Sequence, residues 1–228
     1  MYQYSDIITT SLLLGFFHIL INYINNFSLN NKLKEKTIWF FLHFVGNMYV
    51  VCRSFDTFYM LIMDPINTVL SMGDFVDTRL IVLTLHIYHH LFFKLNNEDL
   101  YHHIVFVYIG TLGMHFINTG CCLTIYYLFS SGLPGGIIYL CLVFEDIGYI
   151  TKLTRLSIAK WLNIWIRSIG LTFCFSCFLI RFFNNDTKTI IDWIALFITF
   201  LCSSYNGQHY LDEVICAHTK YTNLKQTL

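Results

Sequence analysis

Long apolar runs, separated by short polar stretches, dominate this chain of 228 residues. The hydrocarbon core of a bilayer is about 30 Å thick, so a helix that crosses it needs roughly 20 mostly apolar residues. The pattern therefore predicts an all-α membrane protein, a bundle of about seven transmembrane helices in one polytopic domain over residues 1–228. The predicted helices cover residues 7–25, 37–55, 78–94, 100–118, 121–150, 161–180 and 189–206.

Two of these predicted helices carry local signals of their own. The fifth contains SSGLPGG at residues 130–136, and its glycines and proline predict a break within that crossing, tolerated where protein surrounds the backbone. The first lacks the positively charged start and the small-residue cleavage site of a signal peptide. It is therefore expected to stay in place as a membrane helix.

Composition agrees with a membrane location and excludes one class of partner. Hydrophobic residues make up 56% of the chain and charged residues 12%, about half the charged fraction of soluble domains. The mean hydropathy is +0.56. The net charge is zero and no basic stripe is present, which argues against a nucleic-acid partner.

The distribution of Lys and Arg predicts an orientation, because cytosolic loops are enriched in these residues. With the N-terminus in the lumen, the inner segments hold nine Lys and Arg and the outer segments four. The outer four are Arg53, Arg79, Arg181 and Lys188. The expected orientation thus has a lumenal N-terminus and a cytosolic C-terminus. The expected location, as an integral membrane protein, is the endoplasmic reticulum.

Half of the ten histidines fall in the sequence LHIYHHLFFKLNNEDLYHHIVF, residues 85–106. Residues four apart share a helix face, as His86 and His90 do, and His90 and His102 lie at similar distances from the loop 94–99. Polar groups in membrane segments are costly and usually face a bundle interior. The pattern predicts a histidine cluster at the cytosolic end, and histidines that merely line the interface are the alternative.

Roles follow from the chemistry of imidazole, which acts as a base or a nucleophile near neutral pH. The candidate catalytic residues are His102, His103, His90 and His86. Neighbouring helix residues point about 100° apart, so His103 is expected to face the interior and His102 to orient it or bind a head group. The candidate substrate-binding residues are His89, His115, Asn118 and His209, and no metal is expected.

Other polar residues inside the predicted helices have structural interpretations. Glu145 and Asp146 lie near the end of the fifth helix and Arg167 lies at similar depth in the sixth. Because an unpaired charge there would be expensive, an ion pair of Arg167 with either acid is predicted. Cys174 and Cys177 form a C-x-x-C pair without a second pair nearby in sequence, and they are expected to pack as small apolar residues.

The segment EDLYHHIVFVYIGTLGMHFINTG resembles the histidine-pair segment of TLC-domain membrane proteins, the group that includes the ceramide synthases. SSYNGQHYLDEVI resembles the exit of that family's last helix, so the likeness covers about residues 78–215. The resemblance implies a TLC-like helix bundle that acts on or binds lipids, with His102 and His103 at the matching positions. The His-Asp pair of ceramide synthases is absent from the next helix, which argues against ceramide synthesis itself.

Several alternatives stay open. LHIYHH resembles the His-x-x-His-His box of fatty-acid elongases, which implies acyl transfer from a coenzyme A thioester, although the flanking elongase motifs are not recognised. A di-iron lipid hydroxylase or desaturase needs several histidine boxes, of which one, His86/His89/His90, is complete. A channel, receptor or structural membrane protein is the non-enzymatic alternative. The expected partners are membrane lipids, with acyl-coenzyme A as a co-substrate of the enzymatic forms, and a homodimer is left open.

Overall fold

The computed structural model describes residues 2–27, 33–71, 75–111, 119–184 and 189–226, and the regular structure within these ranges is helical. Within them eight helices follow one another: α1 Tyr2–Phe27, α2 Glu35–Met63, α3 Pro65–Leu70, α4 Arg79–Phe92, α5 Asn97–His102, α6 Cys121–Asp146, α7 Lys152–Asn184 and α8 Ile190–Gln226. α5 continues directly as a π-helix over His103–Ile109. The predicted class, an all-α membrane bundle, is confirmed.

Five helices of the described ranges are long and apolar enough to cross a membrane, namely α1, α2, α6, α7 and α8. The predicted count of seven was therefore wrong for this part of the chain. α4 has 14 residues, about 21 Å of helix, which is shorter than a bilayer core. The predicted fourth crossing, 100–118, is helical as far as Thr111, and residues 112–118 lie outside the described ranges.

α2 and α6 form the most extensive helix pair and run antiparallel. Thr37, near the start of α2, donates a hydrogen bond of 2.9 Å to Asp146 at the end of α6. Ser54, in the second half of α2, donates to the carbonyl oxygen of Thr124, near the start of α6. These two contacts set the register along which α2 and α6 pack.

The stretch SSGLPGG does not break α6. Leu128–Gly132 form a π-helical turn, and an α-helix follows directly over Leu133–Asp146. Pro134 stands in the first turn of that segment, where a missing N–H is tolerated. Gly135 lies against α2: an added Cβ would be 2.9 Å from Nδ2 of Asn47. The predicted break is thus corrected to a widened turn, and the glycine serves close helix packing.

Polar contacts mark two opposite halves of the bundle. One half contains the Asp6–Arg53 ion pair, 2.9 Å between Oδ1 and Nε, and Arg181, which donates to the backbone carbonyl oxygens of Val69 and Ser71 at the end of α3. The Thr37–Asp146 contact marks the other half. Beginning beside Thr37, apolar side chains of α1, α2 and α4 form a buried cluster of Leu14, Ile38, Trp39, Leu42 and Leu85.

Candidate functional site: a histidine cluster

The histidines of α4 and α5 meet around His103, which is 2% exposed. The His103 ring centroid lies 4.7 Å from that of His86 and 4.7 Å from that of His90. Nδ1 of His89 and Nε2 of His103 are 3.3 Å apart. All three members of the H-x-x-H-H box therefore contact one histidine of the following helix.

Local sequence explains why the two helices return on each other here. α4 ends at Phe92, and Asn96 begins α5 with a capping box in which its side chain accepts from the backbone N–H of Asp99 at 2.8 Å. The Asp99 carboxylate accepts from the backbone N–H of Asn96 in return. A capping box satisfies helix-end donors and sets where a helix starts. The short loop between Phe92 and Asn97 thus brings the end of α4 back against the start of α5.

His86 has the best-defined protonation pattern of the cluster. Its Nδ1 lies 2.7 Å from the carbonyl oxygen of Val82, one turn earlier. Because a carbonyl oxygen only accepts, Nδ1 carries the proton, and Nε2 of the neutral ring holds a lone pair. That Nε2 is buried without a hydrogen-bond partner in the described part of the chain, as are Nδ1 of His103 and Nδ1 of His43. A buried nitrogen lone pair without a partner is available to a ligand.

His102 has a different environment from its neighbour His103. It is partly buried, its ring centroid lies 5.6 Å from that of His86, and its Nδ1 is 2.8 Å from the hydroxyl of Tyr210 on α8. His103 faces the interior of the cluster whereas His102 faces α8, as the angular separation of adjacent helix residues requires.

Aromatic residues that sequence reasoning did not single out form the wall of the cluster. Trp39 of α2 stacks on His89 with ring centroids 3.7 Å apart. Tyr139 of α6 stacks on His43 at 3.8 Å, and His43 lies 5.4 Å from His86. The four-residue spacing of Trp39 and His43 was a usable signal, since it places both on one helix face. Nothing in the sequence distinguishes Tyr139 and Tyr210 among its 15 tyrosines.

Of the remaining predicted binding residues, the structure describes only His209. His209 is partly exposed, stacks on Tyr205, and lies 3.4 Å from Glu213, so it belongs to the surface of α8 beside the cluster. His115 and Asn118 fall outside the described residues.

The predicted ion pair of Arg167 with Glu145 or Asp146 was wrong. Glu145 pairs with Arg155, near the start of α7, and Asp146 accepts the hydrogen bond of Thr37. Arg167 instead donates to the side-chain oxygen of Asn163. α7 explains the difference: at 1.5 Å per residue, Arg167 lies about 18 Å further along the helix than Arg155, out of reach of the end of α6.

The cysteines behave as apolar residues. Cys174 and Cys177 pack against Cys121 and Cys122 in one buried cluster with aliphatic and aromatic side chains, and all eight cysteines are free. The expectation for the C-x-x-C pair is confirmed. In the described ranges, no three His, Cys, Asp or Glu side chains are arranged to hold a metal ion.

The architecture and the site together define a class: an all-α membrane protein whose interior holds a histidine cluster at one end of its helix bundle. Comparison with protein-family models, curated proteins and solved structures finds no match. The function is therefore argued from the site itself.

Proposed function

We propose that the protein is a membrane enzyme that transfers a fatty acyl group from a thioester, such as acyl-coenzyme A, to a lipid acceptor, using His86 and His103. The observation that carries this proposal is the buried lone pair on Nε2 of His86, in a ring whose centroid is 4.7 Å from that of His103. Imidazole nitrogen is a competent acyl carrier and base near neutral pH. The TLC-like relationship, the endoplasmic reticulum location and the cytosolic C-terminus belong to the same proposal.

In the first step, Nε2 of His86 attacks the carbonyl carbon of the thioester. The carbon–sulfur bond breaks, the thiolate leaves with the electron pair, and His86 becomes an acyl-imidazolium. The hydroxyl or amine of the acceptor then attacks the acyl carbon while a neighbouring imidazole, for which His103 is the best placed, takes its proton. His86 leaves as a neutral ring and the proton passes to the thiolate, so that one thioester and one acceptor give one acylated lipid and one thiol.

Contacts with Val82 and Trp39 support the proposed roles of His86 as nucleophile and His103 as base. The carbonyl oxygen of Val82 fixes the tautomer of His86, so its reactive nitrogen points away from its own helix. Trp39 holds His89 by stacking, and Nδ1 of His89 lies beside Nε2 of His103. A positioned base and nucleophile lower the barrier because they need no reorganisation at the moment of reaction.

The surroundings suit an acyl chain. A cavity lies between α7 and α8, and its apolar lining includes Leu171, Phe175 and Phe200. Gly207 also lines it, three residues and so about one helix turn before Tyr210, which contacts His102. An acyl chain lying in this cavity would have its thioester end near the cluster.

The decisive experiment compares His86→Ala and His103→Ala with a histidine variant outside the cluster. His218→Ala is the matched control, because His218 contacts Ser157 and Lys160 instead. Proteoliposomes receive labelled palmitoyl-coenzyme A and a lipid extract, and products are identified by mass spectrometry. Loss of a general base or nucleophile typically costs about 10²–10⁴-fold in rate. Wild-type rates in both cluster variants would refute the proposal.

An elongase-like condensation is the second candidate, favoured by the contact of the whole box His86/His89/His90 with one further histidine. The same assay separates it from transfer to a lipid acceptor. If malonyl-coenzyme A is required and the labelled acyl chain grows by two carbons, the protein is a condensing enzyme. If the chain length is unchanged and the label moves to a lipid, it is an acyltransferase.

A further inference from the structure

Arg167 stands in a part of α7 whose backbone is unusual. It belongs to the π-helical stretch Leu162–Ser168, and π-helical turns inside α-helices are frequently found at functional sites. The other π-helical stretch bearing a residue of the proposed site begins at His103. Arg167 and His103 thus both lie in π-helical stretches of the bundle.

Among the residues that the structure describes, no acid neutralises the charge of Arg167. Its one side-chain hydrogen bond in the described ranges goes to the neutral amide oxygen of Asn163, and its Nε is buried without a partner. No carboxylate lies within ion-pair distance of it among the described residues, in contrast to Arg53, Arg79 and Arg155.

The position of Arg167 relative to the histidine cluster is the second observation. Its π-helical stretch packs against α8, which carries Tyr210, the hydrogen-bond partner of His102. Leu171, four residues further along α7, lines the cavity between α7 and α8. Arg167 therefore lies about one helix turn from that cavity, in a stretch that packs against the helix of Tyr210.

Arg167 is partly buried, and a guanidinium without an anion is unfavourable inside a membrane bundle, where charged groups usually serve a functional site. Guanidinium groups bind carboxylates and phosphates with paired, charge-assisted hydrogen bonds. We propose that Arg167 binds an anionic oxygen group, a carboxylate or a phosphate, of an amphiphilic ligand that occupies the space beside His102. This inference rests on the proposed function only in its choice of an amphiphilic ligand, and it requires no acyl transfer.

The test measures binding to the full-length protein in detergent, with three probes that share one chain: hexadecanoate, hexadecyl phosphate and hexadecanol. A charge-assisted pair is worth on the order of tenfold to a hundredfold in affinity. The wild type is expected to bind at least one of the two anions by that factor more tightly than hexadecanol. Preference for hexadecanoate identifies a carboxylate site, and preference for hexadecyl phosphate identifies a phosphate site.

Arg167→Gln is expected to abolish the preference, and Arg167→Lys to keep part of it. The matched control is the double variant Arg155→Gln with Glu145→Gln, which removes a compensated cation together with its partner and should retain the wild-type preference. Equal wild-type affinity for all three probes, or an unchanged preference in Arg167→Gln, overturns the inference.

Folding and function are separated by two further measurements. Thermal unfolding without ligand should leave Arg167→Met at least as stable as the wild type, because an uncompensated charge is removed. A marked loss of stability would assign Arg167 a structural role and overturn the inference. His86→Ala should keep the anion preference, so a failure of acyl transfer leaves the binding result standing, and the reverse also holds.

Discussion

At the residue scale, some ring nitrogens of the histidine cluster have a hydrogen-bond partner and others have none among the described residues. His86 is fixed through Nδ1 by the carbonyl oxygen of Val82, and His89 by stacking on Trp39. By contrast, Nε2 of His86 and Nδ1 of His103 are buried and unpaired. Buried polar atoms in folded proteins are almost always paired, so unpaired ones in a group mark a place where a ligand or water completes the site.

Tyr210 is expected to act as a positioning residue for His102. Tyr210→Phe removes the 2.8 Å hydrogen bond to Nδ1 while keeping the ring. A neutral hydrogen bond contributes about 0.5–1.5 kcal/mol, so acyl transfer should fall by up to roughly tenfold with little change in folding. Steady-state rates in proteoliposomes measure the effect.

The control for this variant is Tyr59→Phe, since Tyr59 is exposed on α2 far from the cluster. It should behave as the wild type. Full activity of Tyr210→Phe would show that the contact with His102 has no part in positioning.

At the element scale, close approach of α2 and α6 brings Tyr139 of α6 to the cluster. Gly135 and Gly136 lie against Asn47 and Met48 of α2, where an added Cβ would be 2.9 Å from Nδ2 and 3.1 Å from Sδ respectively. Small residues at such contacts let helix backbones approach within a membrane bundle. Tyr139, one turn further along α6, then reaches His43.

Leucine at either glycine is expected to push α6 away from α2. Overpacking of this kind costs about 1–3 kcal/mol, so Gly135→Leu and Gly136→Leu should lower the unfolding temperature and the yield of folded protein along with any activity. Thermal unfolding in detergent measures this.

Gly15→Leu on α1 is the matched control, because nothing lies within 4 Å of an added Cβ there. It should fold normally. If Gly135→Leu retained normal stability but lost activity selectively, the glycine would instead contact a ligand.

At the scale of the whole molecule, the two polar halves of the bundle bear on orientation. Arg53 and Arg181, two of the four basic residues assigned outside, lie in the half opposite the Thr37–Asp146 contact. Arg155, which is not among those four, lies beside Glu145 at the other end. In the described ranges five helices are long and apolar enough to cross a membrane, and the proposed orientation places the two termini on opposite sides of it.

A C-terminal tag is therefore expected to face the cytosol and an N-terminal tag the lumen. In cells whose plasma membrane alone is permeabilised, antibody should reach the first tag and not the second. Full detergent permeabilisation, which exposes both, is the control. Protection of the C-terminal tag in the first condition would reverse the proposed orientation.

The sequence alone determined the class of the molecule and indicated the histidines of α4 and α5 that meet in the cluster. The length and apolarity of α1, α2, α6, α7 and α8 are local properties of the chain, and so a hydropathy argument reaches them. The spacing of His86, His89 and His90 and the loop before His103 likewise imply a helix hairpin that brings these rings together.

The tertiary structure decided what depends on contacts between distant segments. Glu145 pairs with Arg155 rather than Arg167 because Arg155 is near the start of α7 and Arg167 is several turns further along it. The contact of Tyr210 with His102 joins residues 108 positions apart. A π-helical turn rather than a break near Pro134 depends on the support of α2. The uncompensated charge of Arg167 could not be inferred from sequence, because an unpaired state is a property of everything around a residue and not of the residue itself.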